Sequence, residues 1–276
     1  YHPLNWTLGI SNDWFLSGYA EIEQRKLVIY DNDSGDELGR FQRGTRRIGV
    51  DLGQPWGEFG ELRLGISHQV QRTSPDIVSE AYNGPRDKTR VRETGLRLGV
   101  VIDQLDYANF PQRGYRVQGE AVLGRLGGLS DDNERFNRAE LQLTGVRTWR
   151  GHTLNAYARG LHTGSDSGRL GRYTLGGFHQ LSGYKPGQLD GNYVLFGRLT
   201  YYKRLDNPPL FTRGLFIGGT LEAGNAWERR GDLSLSNLRG GGSLFLGADT
   251  GLGPMYFGLT YAPGGSAGLV LFIGRP

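Results

Sequence analysis

The sequence has no cysteine, which excludes both a disulfide framework and a thiolate metal site. Its five histidines are scattered singly, and no two have the i,i+4 spacing of a helical metal site. None of the glycine-rich stretches has P-loop spacing. We therefore predict no metal and no cofactor.

Long hydrophobic runs are also missing. No run approaches the roughly 20 residues that a membrane helix needs, and the mean hydropathy is −0.46. The best candidate, residues 267–274, has only the length of a strand. A membrane β-barrel remains compatible with this pattern, because its strands are apolar on one face only.

Lysine is scarce. The four lysines leave 28 arginines among the 32 basic residues, and the net charge is only +4. A pI near 9.3 would suit a nucleic-acid partner. The arginines, however, alternate with apolar residues and form no single patch along the sequence. We therefore predict no nucleic-acid binding.

What is present is alternation with a period of two. In TGLRLGVVID, Leu96, Leu98 and Val100 share one face, while Arg97 and Asp103 share the other. No helix pattern accompanies it. This predicts an all-β chain with twelve visible strands at about 14–31, 37–53, 59–72, 90–104, 114–124, 138–150, 153–163, 192–205, 212–225, 240–250, 254–261 and 267–274.

The connections alternate between short and long, which is typical of outer-membrane barrels. A soluble β-sandwich also alternates, but it seldom carries so many charges on the face away from its core. It would also leave apolar edge strands that closure of a barrel removes. We favour an antiparallel transmembrane β-barrel. One long segment, residues 164–191, shows no strand or helix pattern.

Four motifs resemble the outer-membrane-protein-85 superfamily. GLRLGVVIDQLDYANFPQRGY resembles its strand–turn–strand motif, carried here by Asp103, Asp106, Phe110, Pro111 and Gly114. LSGY falls where the family carries a tetrapeptide at the tip of an inward-folded loop. LEAGNAW is similar to the acidic motif of the following strand, and the LVLFIGRP ending is family-like. A tight turn alone would also explain the first motif, since Asp, Pro and Gly favour turns.

The segment GGFHQLSGYKPGQLDGNY resembles the corresponding sequence of the patatin-like autotransporters of type Vd secretion. The resemblance implies that residues 1–276 are an outer-membrane translocator barrel with the segment 164–191 as a lumen plug. Composition alone would also allow a disordered external loop. The expected anchor of the plug comprises Leu181, Ser182, Gly183, Tyr184, Lys185 and Glu222.

The sequence departs from the family pattern at the loop tip. Ser182 stands where the family has an arginine that pairs with an acid on the barrel wall. Glu222 would then need another partner, and Lys185 is the candidate. Alternatively, Glu222 is one of many solvated lumen charges.

Two further departures concern the strands and the C-terminal residue. The family barrel has sixteen strands, with eleven before this loop. Seven precede it here, so the visible strands are expected to be the last twelve, with YHPL ending the fourth. Pro276 stands where the family usually has an aromatic residue.

The polar faces of the strands predict which side chains line the pore. By parity these are Arg63, Arg97, Arg116, Glu120, Glu140, Arg159, Arg198 and Asp249.

We predict no enzymatic activity for this segment. GGSAG matches the G-x-S-x-G pattern, but a nucleophile elbow needs a strand–turn–helix context. Ser266 lies between two alternating strands instead. In the resembling family, lipase activity belongs to a separate N-terminal passenger domain.

The function implied by the resemblance is translocation or anchoring of that passenger in the bacterial outer membrane. The implied partners are outer-membrane lipids, the chain's own passenger and transport-associated domain, and the assembly machinery; a homodimer is also allowed. The alternatives are an assembly or two-partner secretion barrel, or a passive diffusion porin.

Overall fold

The computed structural model describes residues 2–11, 13–127, 134–164, 171–206 and 212–276. Part of the predicted plug, residues 165–170, lies outside these ranges. Within them, no helix is long and apolar enough to cross a membrane. The strands are β1 His2–Ser11, β2 Trp14–Tyr30, β3 Glu37–Pro55, β4 Gly60–Val78, β5 Thr89–Asp103, β6 Arg113–Gly127, β7 Glu134–Trp149, β8 His152–Thr163, β9 Tyr173–Leu175, β10 Leu189–Gly191, β11 Tyr193–Leu205, β12 Thr212–Trp227, β13 Arg239–Thr250, β14 Gly253–Tyr261 and β15 Ala267–Ile273.

Thirteen of these strands form one antiparallel sheet in chain order, from β1 to β8 and then from β11 to β15. Strands β9 and β10 form a separate two-stranded ladder inside the long segment. The predicted all-β antiparallel barrel architecture is confirmed. The barrel is not closed, because β1 and β15, the two ends of the sheet, are not paired in the described chain.

Two parts of the strand prediction were wrong. The first is β1, which pairs with β2 from His2 to Ser11, so eight strands rather than seven precede the long segment. Its apolar residues Leu4, Trp6 and Leu8 alternate with the period of two that identified the other strands. The second is the long segment, which contains β9 and β10. Three-residue strands are too short to show a period of two.

The sheet separates an apolar outer face from a polar inner face. The outer pairs Leu64–Leu98 and Ile66–Leu96 are directly opposite each other and exposed. On the inner face, Arg97 reaches Asp51 Oδ2 at 2.7 Å and Glu120 Oε2 at 2.9 Å. This ion group joins β3, β5 and β6, and an Arg138–Glu93 pair joins β7 to β5. The inner wall of β3–β7 is therefore ionic and cross-linked.

Candidate functional site: two segments docked on the inner wall

The long segment folds onto the inner face of strands β8, β11 and β12. Leu181 and Leu189 are completely buried there, against Leu161, Val194 and Phe196. Leu181 adopts a positive φ of 85°, which a side chain other than glycine rarely does. Burial of its side chain accounts for the placement of a leucine at this strained position.

The tip of the segment is held by one carboxylate of the wall. Glu222 Oε2 accepts hydrogen bonds from the backbone nitrogens of Leu181 at 2.8 Å and Ser182 at 2.6 Å. Its Oε1 accepts from Ser182 Oγ at 2.9 Å and Thr220 Oγ1 at 2.6 Å. Glu222 is only 5% exposed. A buried carboxylate requires such partners, and backbone amides supply them here.

The hydroxyl of Ser182 both donates and accepts a hydrogen bond. It donates to Glu222 Oε1 and accepts from His179 N at 3.0 Å. The residue that replaces the family arginine is therefore part of the contact with Glu222. The nearby positive charge comes from the wall, because Arg198 lies directly opposite Glu222 in the β11–β12 ladder. Its Nη1 donates to His179 O at 2.7 Å.

Lys185 does not have the predicted position. Its Nζ donates to Gly35 O at 2.9 Å and lies 5.3 Å from the centre of the Tyr30 ring. Both partners belong to β2 or the turn that follows it. The prediction that Lys185 neutralises Glu222 was therefore wrong, because the backbone of the tip satisfies Glu222 and the lysine points across the lumen.

The β2–β3 turn adds three more contacts across the lumen. Asn32 and Asp190 exchange hydrogen bonds between side chain and backbone. Asp33 forms an ion pair of 2.7 Å with Arg239 at the start of β13. The segment is thus held between two walls at the end of the sheet that carries the long connections.

Gly183 allows the tip to approach the β14–β15 turn. Its φ is +92°, and a Cβ there would lie 2.5 Å from Ala262 N. Ser266 donates to Gly183 O from both its backbone nitrogen and its hydroxyl. The serine of the GGSAG sequence therefore fixes the loop tip, and it has no nucleophile-elbow surroundings.

The β5–β6 turn is the second inward segment. Asp106 Oδ1 accepts from the backbone nitrogens of Gln112 and Arg113, which closes the turn. Gly114 has a φ of +109°, and a Cβ there would lie 2.0 Å from Gln104 O. Asp103 forms an ion pair with Arg116. These contacts are the local turn chemistry that the motif predicts.

Phe110 extends from this turn into an aromatic cluster on the opposite wall. Its ring stacks on Phe216 with centroids 4.2 Å apart and lies near Tyr202 and Tyr256. A Cβ at Gly247 would be 2.6 Å from the ring, so this glycine makes room for it. The cluster shows that the sheet wraps far enough to bring β11–β14 opposite the β5–β6 turn.

Polar contacts fix the same turn. Asn109 Nδ2 donates to Asp249 Oδ1 at 3.1 Å, and Arg275 Nε donates to Asn109 Oδ1 at 3.0 Å. The hydroxyl of Tyr202 donates to Pro111 O. The turn motif therefore does more than reverse the chain, because its apex is docked on the far wall.

His179 connects the two segments. Its ring contacts Phe245 and Tyr256, and Tyr256 also contacts Phe110. Burial of the imidazole, and secondarily the guanidinium of Arg198, lower the pKa of His179 well below its ordinary value. Its Nε2 has no hydrogen-bond partner within the described ranges, so a proton there would be uncompensated.

The eight predicted pore-lining side chains all lie on the inner face, but several are engaged. Glu140 accepts from the hydroxyl of Tyr173, Arg198 binds the tip, and Asp249 holds the β5–β6 turn. Arg63, Arg97, Arg116 and Glu120 form ion pairs within the β2–β6 half. Arg159 lines cavities of about 390 and 450 Å³ beside the docked segments.

Sequence reasoning missed the residues that complete the two docked segments: Asn32, Asp33, Asn109, Tyr202, Phe216, Thr220, Arg239 and Tyr256. Of these, the sequence indicated only Thr220, because residues two apart in a strand share a face and Thr220 therefore lies on the same face as Glu222. The others meet their partners across the lumen, at sequence separations that no local pattern reports. Among the described residues, no group of three His, Asp or Glu side chains could hold a metal ion.

The chain is similar to a known protein family in sequence and to solved structures in fold. Residues 4–261 match the family model described as the Omp85 superfamily domain. BamA from Haemophilus ducreyi, lacking POTRA domains 1–3, has a similar solved structure, with a TM-score of 0.74 at 15% identity. That match covers 98% of this chain and 60% of the other.

CdiB from Acinetobacter baumannii is similar with a TM-score of 0.59 at 12% identity, over 96% of this chain and 46% of that one. At these identities the likeness shows the fold alone. This chain spans less than two thirds of either structure. No curated protein matches the sequence.

Proposed function

Because the chain belongs to the Omp85 superfamily, we propose that it is a polypeptide translocator whose lumen is closed at rest by the two docked segments. It is an outer-membrane β-barrel protein, and members of this family are transporters or assembly factors rather than enzymes. The supporting observation is the Glu222 contact, in which three hydrogen bonds hold the tip of the long segment against the inner wall.

The specific proposal is a type Vd autotransporter that carries a patatin-like passenger upstream of residues 1–276. It rests on the resemblance of the sequence from Gly176 to Tyr193. The eight inner-face residues would then line the opened pathway, and Leu181–Lys185 with Glu222 would anchor the plug. An assembly or two-partner secretion barrel is the second candidate, and the likeness to BamA and CdiB supports it equally.

Protease treatment of intact cells that express the full-length protein distinguishes the two candidates. For an autotransporter we expect the upstream domain to be cleaved at the cell surface, while a periplasmic marker stays intact. Deletion of residues 164–191 should reduce that surface exposure. An upstream domain that is shielded from protease in cells with an intact outer membrane would contradict the autotransporter and favour an assembly role.

A further inference from the structure

Six arginines cluster on the outer face of the sheet, at the strand ends next to the long connections. They occupy outward positions on β3–β7 and are all exposed: Arg46, Arg72, Arg90, Arg92, Arg125 and Arg135. We refer to them as the outer arginine patch. The arginines form no patch along the sequence, but strand pairing gathers residues that are far apart in sequence into one patch in three dimensions.

The patch places like charges side by side. Arg72 is directly opposite Arg90, and Arg125 is directly opposite Arg135. Such pairs destabilise a sheet unless something compensates them. Across the described ranges, none of the six forms an ion pair with the protein. Among the described residues, no anion pairs with the patch, so its six guanidinium groups are available to an anion from outside the chain.

Two acids of these strands lie on the other face and are already paired. Glu93 and Glu120 occupy inner positions and pair with inner arginines. The outward neighbours of the patch include Gln42, Val70 and Thr94, none of which is acidic. At the same height on the other half of the sheet, the outward residues are uncharged: Asn225, Gly240, Tyr261 and Ala267.

The position of the patch points to the chemistry of its partner. Along the same strands, the next outward residues belong to the apolar band, including Ile48, Ile66 and Leu123. In a membrane barrel, the rim of that band lies at the level of the lipid headgroups, where charged side chains are tolerated. The anion at that level is phosphate, which the planar guanidinium binds through two parallel hydrogen bonds.

The patch also has room for a ligand. Gly44 lies directly opposite Arg72, and Gly127 lies directly opposite Arg92. A Cβ at either glycine would have nothing within 4 Å. From this arrangement we propose that the outer arginine patch binds a lipid headgroup that carries two phosphates. One phosphate would lie at the Arg72–Arg90 pair and the other at the Arg125–Arg135 pair.

The first arm of the test uses the unaltered full-length protein in detergent. Retention of bisphosphorylated lipid A is compared with that of its dephosphorylated form and of phosphatidylethanolamine by mass spectrometry of the intact complex. We expect selective retention of the bisphosphorylated lipid, which weakens as salt is raised. Equal retention of the dephosphorylated form would overturn the proposal, and this arm does not depend on the folding of any variant.

The second arm uses the triple variant Arg72→Gln, Arg90→Gln, Arg92→Gln. Affinity for bisphosphorylated lipid A should fall on the order of 100-fold, since each basic group at a membrane surface contributes roughly a factor of five. The corresponding lysine variant should keep most of the affinity. An unchanged affinity of the glutamine variant would overturn the proposal.

A matched control removes the same charge at the opposite rim. Arg113, Arg147 and Lys203 are exposed on the outer face next to the short connections. Their triple replacement by glutamine should leave the affinity within about twofold, since these residues lie outside the patch. If the control variant lost as much affinity as the patch variant, the lipid would be attracted by the net charge of the protein alone. That result would overturn the proposal of a specific site.

Discussion

The two halves of the inner wall satisfy their inward-facing side chains in different ways. On β3–β7, charged side chains pair with one another across strands, as Arg97 does with Asp51 and Glu120. On β11–β14, the wall presents aromatic rings and one buried carboxylate, and both inward segments dock there. The difference shows that the self-paired wall leaves its surface open to water, whereas the other wall is completed only by the segments it holds.

The largest expected effect is that of Phe110→Ala. Truncation removes the ring that stacks on Phe216 and leaves a cavity beside Gly247. Losses of about 3–5 kcal/mol are usual for such a change in a packed core. Hydrogen exchange in residues 104–112 should become fast while exchange in the strands stays slow. Unchanged protection of the turn would show that the polar contacts of Asn109 and Tyr202 suffice.

Glu222→Ala should have the next largest effect. It leaves the amides of Leu181 and Ser182 without their acceptor, and a buried unpaired donor costs about 1–3 kcal/mol. These two amides should lose protection against hydrogen exchange. Glu140→Ala serves as the control, because it removes a single hydrogen bond, which Tyr173 of β9 donates. If both variants reduced the protection of these amides equally, the result would contradict the account that Glu222 is the main anchor of the tip.

A small effect is expected on the ionic wall. Glu120→Gln removes one of the two carboxylates from Arg97, which keeps Asp51 and remains partly exposed. Partly exposed ion pairs contribute about 1 kcal/mol or less. The urea midpoint of unfolding should therefore shift only slightly, and protection of Leu181 should stay unchanged. Loss of tip protection in this variant would mean that the two walls are coupled.

The smallest expected effect is that of pH on docking. The pKa of His179 is lowered in the docked segment, so undocked imidazole binds a proton more readily than docked imidazole does. Docking should be strongest above about pH 6.5, the ordinary value, and should weaken as the pH falls below it. Hydrogen exchange of Ser182 measured at several pH values, corrected for intrinsic rates, checks this. The His179→Phe variant should abolish the dependence.

The fold could be predicted because alternation is a local property. Residues such as Leu96 and Arg97 reveal their faces within a few positions, and twelve strands followed from that pattern. Strand β1 carried the same signal. Strands β9 and β10 did not, because a three-residue ladder is specified by the surfaces around it.

The site could be predicted only where its chemistry is local. Gly114 and Asp106 act within their own turn, and the motif reveals them. The partner of Glu222 could not be found in this way, because backbone amides can come from any residue. Lys185 was the chemically reasonable choice from charge alone, yet its position is set by Gly35 and Tyr30 across the lumen.

Single-channel conductance in planar bilayers tests the central claim most directly, that two segments docked on β11–β14 close the lumen. The unaltered protein, Glu222→Ala, Phe110→Ala and the double variant are compared at equal insertion. We predict small, flickering currents for the unaltered protein, intermediate currents for each single variant, and large, steady currents for the double variant. Large, steady currents from the unaltered protein, or no increase in the double variant, would contradict the account.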